Sequence, residues 1–244
     1  MPVKLATTAS VFTAALAVTG LASAGDVVFD QIGDNGGADL DGGSYASQYF
    51  EPDVSGFDIG ALDDFTLESG TTIISIEAVI FGDTGYGGLG DIEGYQINIY
   101  SDPWMAALSL VGDVHSSNHA TFDSTINIGK LLDIVQFDTN IILPEGTFYV
   151  AVIPTMSFFR HGQTRIASSF LGDGDFWQAN PNGAFGFPNN LLEGVGNLAY
   201  RLTVPSPGAL ALLAMGAVGV RRNRKRAMIF SFDTSVIVRS LSAA

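Results

Sequence analysis

Between Gly25 and Thr203 the apolar residues recur in short runs with a period of two. Gly, Asp, Asn and Pro break the runs apart, and no helical period competes with them. The stretch Tyr95-Gln-Ile-Asn-Ile-Tyr100 alternates strictly. It places Tyr95, Ile97 and Ile99 on one face and Gln96 and Asn98 on the other. Thr147–Ile153 is apolar on both faces, which predicts a central strand buried on both sides. Thr71–Phe81, Ile134–Thr139 and Asn197–Val204 read as further strands. Shorter ones fit at Val27–Gln31, Ser47–Phe50, Phe65–Glu68, Ser109–Val114 and Arg165–Phe170. Lys130–Asp133 reads as one helical turn or a bend. Roughly eight to ten strands with turn signals between them predict an all-β, two-sheet antiparallel sandwich, jelly-roll-like.

Charge divides the chain. The 11 Lys and Arg stand against 25 Asp and Glu, a net charge of -14. Between Gly25 and Thr203 the basic residues are Lys130, Arg160, Arg165 and Arg201, while every acid but Asp233 lies there. That body carries about -20, a surface that repels nucleic acid and anionic lipid. The chain has no cysteine, which excludes disulfides, thiolate catalysis and Cys-based zinc sites.

The two ends read as addresses. Lys4, the apolar run Val11–Leu21 and the A-x-A box Ala22-Ser23-Ala24 form a secretory signal, predicted to be an apolar helix over residues 1–24 and cut after Ala24. The Sec translocon and signal peptidase are the partners this implies. At the other end, Val204-Pro205-Ser206-Pro207-Gly208 leads into an apolar run to Val220, a second predicted hydrophobic helix. Arg221, Arg222, Arg224, Lys225 and Arg226 follow it. The run is short for a full span, which takes about 20 apolar residues. The basic block would hold its end on the cytoplasmic side.

This order of elements resembles the PEP-CTERM sorting signal of exported bacterial proteins, in a Pro-x-Pro-Gly variant. The resemblance covers residues 204–226. It implies processing by an exosortase-type membrane enzyme, a place in the cell envelope or at the surface, and an association with extracellular polysaccharide. Two departures stand out. Ser206 occupies the position where the family usually has Glu, and residues 227–244 continue past the basic block where family members usually stop. The body, residues 25–203, is similar to a domain type found in exported proteins with such tails. The landmarks are Asp63–Leu67, Gln96–Asp102, Leu143–Tyr149, Trp177 and Ala199–Leu202. This likeness implies a β-sandwich and carries no activity with it.

The candidate chemical motifs are few. Gly85-Tyr-Gly87-Gly-Leu-Gly90 spells G-x-G-x-x-G, but Asp91 and Glu93 follow where a dinucleotide site needs a helix. A mobile hairpin loop is the reading. His115 and His119 share a face only if extended, with backbones about 13 Å apart, so a shared zinc is not expected. His161 reads as a surface residue. Asp63 and Asp64 are adjacent and point to opposite faces of a strand, a poor acid/base pair. No G-x-S-x-G elbow or Ser-His-Asp order exists, so no catalytic activity is inferred.

Calcium is the one cofactor the residue types suit. Asp34–Gly43 sets hard oxygen ligands in a glycine-rich segment, with Asp39 and Asp41 as the best pair, and Asp173-Gly-Asp175 is a smaller cluster. The EF-hand register fails, because the twelfth position counted from Asp39 is Phe50. Tyr86, Trp104, Phe158, Phe159, Trp177 and Phe187 are candidates for a sugar-stacking surface, with Trp104 and Trp177 the better placed for exposure. The expectation is an exported structural or adhesive β-sandwich. The alternative is an extracellular carbohydrate-binding module that uses calcium.

Overall fold

The computed structural model describes residues 25–34, 40–129, 131–172 and 174–206. Their strands form two antiparallel sheets that share one apolar core. The larger sheet holds β1 (Gly25–Asp30), β2 (Leu40–Ala46), β4 (Thr71–Asp83), β7 (Ser124–Gly129), β8 (Leu132–Leu143), β10 (Gln163–Ser169), β13 (Asn197–Leu198) and β14 (Tyr200–Pro205). The smaller runs in the order β12 (Leu191–Val195), β11 (Asp175–Ala179), β3 (Gly60–Leu67), β9 (Gly146–Thr155), β5 (Gly94–Tyr100), β6 (His115–His119). Among the described strands the chain changes sheet at eight of thirteen connections, including β3 to β4, β4 to β5, β8 to β9 and β9 to β10.

The two-residue period explains the packing. Phe148, Val150 and Val152 of β9 and Tyr95, Ile97 and Ile99 of β5 face inward. There they meet Ile76, Ala78 and Ile80 of β4 and Tyr200, Leu202 and Val204 of β14. Each buried Ile, Val or Leu contributes about 1.5–3 kcal/mol relative to exposure. β9 is apolar on its outer face too, as its sequence predicts. Ala151 and Ile153 pack there with Leu62, Leu110 and residues of the short helix α1 (Pro103–Leu108). Asp102 caps α1 by accepting from the Trp104 N–H at 2.9 Å.

The larger sheet forks. β10 pairs with β4 over Gln163–Ile166, and β14 pairs with β4 over Ser75–Ala78. Beyond Ile166 the strand β13 takes β4's place beside β10, and Ala199 bridges the change by accepting from Val79 N–H and donating to the Ala167 carbonyl. The Tyr200 side chain, fully buried below this fork, crosses to the other sheet.

Three expectations are corrected. Ser109–Val114 is not a strand. Gly112 lies so close to the backbone that a Cβ there would stand 2.2 Å from the His115 carbonyl oxygen, and the strand starts only at His115. Ser47–Phe50 holds isolated bridges to Ile59 and Thr155 rather than a strand. Leu40–Gly43, read as part of the acidic segment Asp34–Gly43, lies in strand β2, which pairs with β10. Among the described residues no helix is long and apolar enough to cross a membrane, and both predicted terminal helices lie outside those residues.

Candidate functional site

One end of the sandwich is set by β1 and β14. Gly25 pairs with Pro205 and Asp26 with Val204. The arches from Leu67 to Thr71 and from Leu143 to Gly146, which join the two sheets, lie at this same end. Ala22 and Ala24 of the predicted cleavage box lie outside the described residues. So do Pro207, Gly208, Arg221, Arg222 and Arg224 of the sorting motif. Val204 and Pro205 are the closing residues of β14, and Ser206 follows them, half-buried.

At the opposite end, about 30 Å away along β9, six phenylalanines form a continuous row. Phe159 and Phe158 belong to the short helix α2 (Phe158–His161), Phe50 follows the Tyr49 bridge, and Phe57 ends the 3-10 segment Pro52–Phe57. Phe185 and Phe187 come from the loop after β11. Neighbouring ring centroids stand 6.1, 5.8, 6.5, 5.3 and 5.8 Å apart in the order Phe159, Phe158, Phe50, Phe57, Phe185, Phe187. The last two rings stack at 19°. Phe159 is 72 % exposed, and Phe158, Phe57 and Phe185 are also exposed. A contiguous exposed apolar feature of this kind marks an interaction surface.

Polar side chains hold the loops beneath the rings. Glu51 accepts from the Phe158 N–H at 2.8 Å, the Phe159 N–H at 3.1 Å and the Ser157 hydroxyl at 3.2 Å. Burial pushes its carboxyl pKa up, but its own backbone N–H together with these donors outweighs it and holds the group below its ordinary value. Asp58 accepts from the Phe50 N–H at 2.8 Å, and burial raises its pKa despite that bond. The Asn180 amide donates to the Gly56 and Asp58 carbonyls and accepts from the Phe185 N–H, while Asn182 donates to the Ser55 carbonyl. The row is therefore presented by loops tied to one another.

The other aromatic candidates divide. Trp104 is 51 % exposed on α1. Trp177, expected in a loop, lies in β11 and packs edge-on against Tyr149 at 5.1 Å. Tyr86 is buried against Gly82, and a Cβ at that glycine would overlap its ring. Phe158, Phe159 and Phe187 were legible as candidates. Phe50, Phe57 and Phe185 were not. Each sits within two residues of Pro or Gly, the signal that a turn could expose it.

The G-x-G-x-x-G segment joins β4 to β5 across the two sheets, so it is an arch and not a hairpin. Asp91 closes it, accepting from the Gly87 N–H at 2.6 Å and pairing with His161 Nδ1 at 3.2 Å. A short 3-10 turn, Leu89–Asp91, stands where a dinucleotide site needs an α-helix. Asp63 and Asp64 do face opposite sides. Asp63 is fully buried between the sheets, where its carboxylate accepts the Leu198 N–H and is reached by the Gln31 amide. Asp39 and Asp173 lie outside the described residues, and the backbones of Asp41 and Asp175 lie in β2 and β11. Among the described residues no three His, Asp or Glu side chains converge on one point.

No family model matches the chain, and no curated protein matches it.

Proposed function

We propose that this is an exported, non-enzymatic β-sandwich protein, held in the envelope or at the surface by one end and making contact through the other. The observation that carries this reading is the pairing of Gly25 with Pro205. The predicted leader ends just before Gly25, and the sorting-type tail begins at Val204. If both signals are processed as the sequence predicts, the two boundaries would lie side by side at the end opposite the phenylalanine row. A domain delivered through the Sec translocon, trimmed by signal peptidase and handed on through its tail to an exosortase-type enzyme would present that row outward. The acidic body suits contact with neutral or cationic partners and disfavours nucleic acid. A jelly-roll reading of the body belongs to this proposal and is supported by the repeated change of sheet along the chain.

The intact mass of the protein recovered from each cell fraction tests the targeting half. A chain that begins at Gly25 and has lost its tail supports it. A full-length chain retained in the inner membrane would favour a plain anchor.

A second reading, an extracellular carbohydrate-binding module, is favoured by the fixed spacing of the phenylalanine rings and by the exposed amides Asn182 and Asn189 at their rim. Calcium bound through Asp39 and Asp41 belongs to that reading. Retention of the protein on immobilised neutral polysaccharide, lost on Phe158→Ser with Phe159→Ser, would select it over a purely structural role.

A further inference from the structure

The three residues His115, Ser117 and His119 point to one side of β6. β6 is the edge of the smaller sheet, so one flank of this row is open. His115 Nε2 lies 3.2 Å from the Ser117 hydroxyl oxygen, and His119 Nε2 lies 3.1 Å from the same atom. The backbones are far apart, but the two rings lean inward along the strand and converge. The His119 ring stands edge-on to the buried Phe137 ring at 5.3 Å, which fixes its plane. Tyr95, Ile97 and Ile99 lie opposite these three residues on β5 and offer a largely apolar floor.

A single hydroxyl proton can serve only one of two imidazole lone pairs. The second ring must either turn its N–H toward the oxygen or leave a lone pair without a donor. A cation accepts both lone pairs at once. We infer that His115 and His119 form a site for a borderline divalent cation, zinc or copper, at the open edge of β6. Two neutral imidazoles suit such ions and not calcium or magnesium, which take oxygen ligands. Zinc takes imidazole nitrogen at about 2.0–2.1 Å, so both Nε2 atoms would draw in from the Ser117 hydroxyl toward the ion. Water from the open flank completes the shell. Two protein ligands make an exchangeable site rather than a structural one. The acidic body raises the local concentration of cations around it. This inference does not depend on the export reading.

The chain holds three histidines, and His161 is engaged by Asp91 elsewhere, so the site can be isolated cleanly. Copper(II) is titrated into the full-length chain in detergent and followed by calorimetry and electron paramagnetic resonance. One equivalent with two equatorial imidazole nitrogens is expected. His115→Gln and His119→Gln should each weaken binding on the order of tenfold or more, while His161→Gln and Ser117→Ala keep the two-nitrogen signal. Identical titrations for the wild type and the His115→Gln, His119→Gln double variant would overturn the inference and leave an adventitious ion only. If a glutamine variant fails to fold, zinc-induced shifts of the wild-type His115 and His119 ring resonances decide. Shifts confined to those rings support the site, and unshifted rings overturn it.

Discussion

The Tyr200 hydroxyl, carried by β14 of the larger sheet, donates to the Ala61 carbonyl on β3 of the smaller sheet at 2.8 Å. It also accepts from the Val152 N–H of β9 at 3.3 Å. β3 and β9 pair from Leu67 and Gly146 up to Asp63 and Val150, and past that point their ladder opens. Two hydroxyls fill the opening. The Ser47 side chain donates to the Val152 carbonyl at 2.8 Å and accepts from the Ala61 N–H at 3.4 Å. Backbone groups that a continuous ladder would satisfy are satisfied by side chains from elsewhere in the fold.

Tyr200→Phe removes the hydroxyl and keeps the ring. The Ala61 carbonyl and the Val152 N–H then lose a partner in a site closed to water. The expected loss is about 1–3 kcal/mol in a denaturant titration, with an unchanged slope. A change within experimental error would mean that the two strands close up without it.

Arg201 sits opposite Glu77 in the β14–β4 register and donates to it at 3.0 Å, while its Nε reaches Asp30 at 3.1 Å. The two carboxylates respond differently. Burial raises the Glu77 pKa above 4.5 and outweighs Arg201. At Asp30 burial also raises the pKa, but the Arg201 bond and the Gly33 and Ile32 N–H groups prevail and hold it below 3.8. Asp30 therefore adds stability that is complete above its unfolded value and lost as pH falls through its folded one. Glu77 has the opposite sign, favouring the fold below 4.5 and losing that contribution as pH rises through its folded value. Asp30→Asn should flatten the acid limb of the stability–pH curve, and Glu77→Gln should flatten the fall in stability with rising pH just above 4.5. Both follow from melting temperatures between pH 3 and 6.

Glu51→Ala removes the acceptor of two amides under the exposed end of the phenylalanine row. Hydrogen exchange at the Phe158 and Phe159 amides should speed up, with little change in global stability. The same amides should loosen in the wild type as pH drops below 4.5, because the folded carboxyl titrates below that value. Exchange rates that stay the same in the variant would show that Glu51 does not hold the row.

Calcium bound at Asp39 and Asp41 would raise the melting temperature by mass action. The rise should disappear in the Asp39→Asn, Asp41→Asn double variant. A melting temperature indifferent to calcium and chelator removes calcium from the carbohydrate reading.

The strands with the strongest alternation were legible in the sequence. Tyr95–Tyr100 and Thr147–Ile153 fall where the period of two puts them, because one or both faces are buried and burial imposes the pattern. β7 alternates only over Ile126 and Ile128, with Ile126 exposed, and β12, whose Val195 is exposed, does not alternate, since little of either strand packs on a core. The glycine-rich Asp41-Gly-Gly reads as loop, and it forms the irregular stretch of β2 between the Leu40–Ser169 and Ser44–Ala167 pairs, which hold it in the strand from either side. The phenylalanine row was only half legible. Its members come from four separate segments, and their convergence depends on Glu51, Asp58 and Asn180, which reach across loops distant in sequence. The meeting of His115 and His119 at Ser117 was hidden for a related reason. Strand spacing gives the distance between backbones and says nothing about which way the rings lean.

The absence of cysteine from the chain makes the orientation directly measurable. Phe159→Cys introduces the only thiol, on the most exposed ring of the row. Intact cells are treated with a maleimide on a polymer too large to cross the outer membrane. Labelling of Phe159→Cys in intact cells, at the level seen after lysis, is the expected result for a body that presents the row outward. Labelling only after lysis would contradict surface presentation.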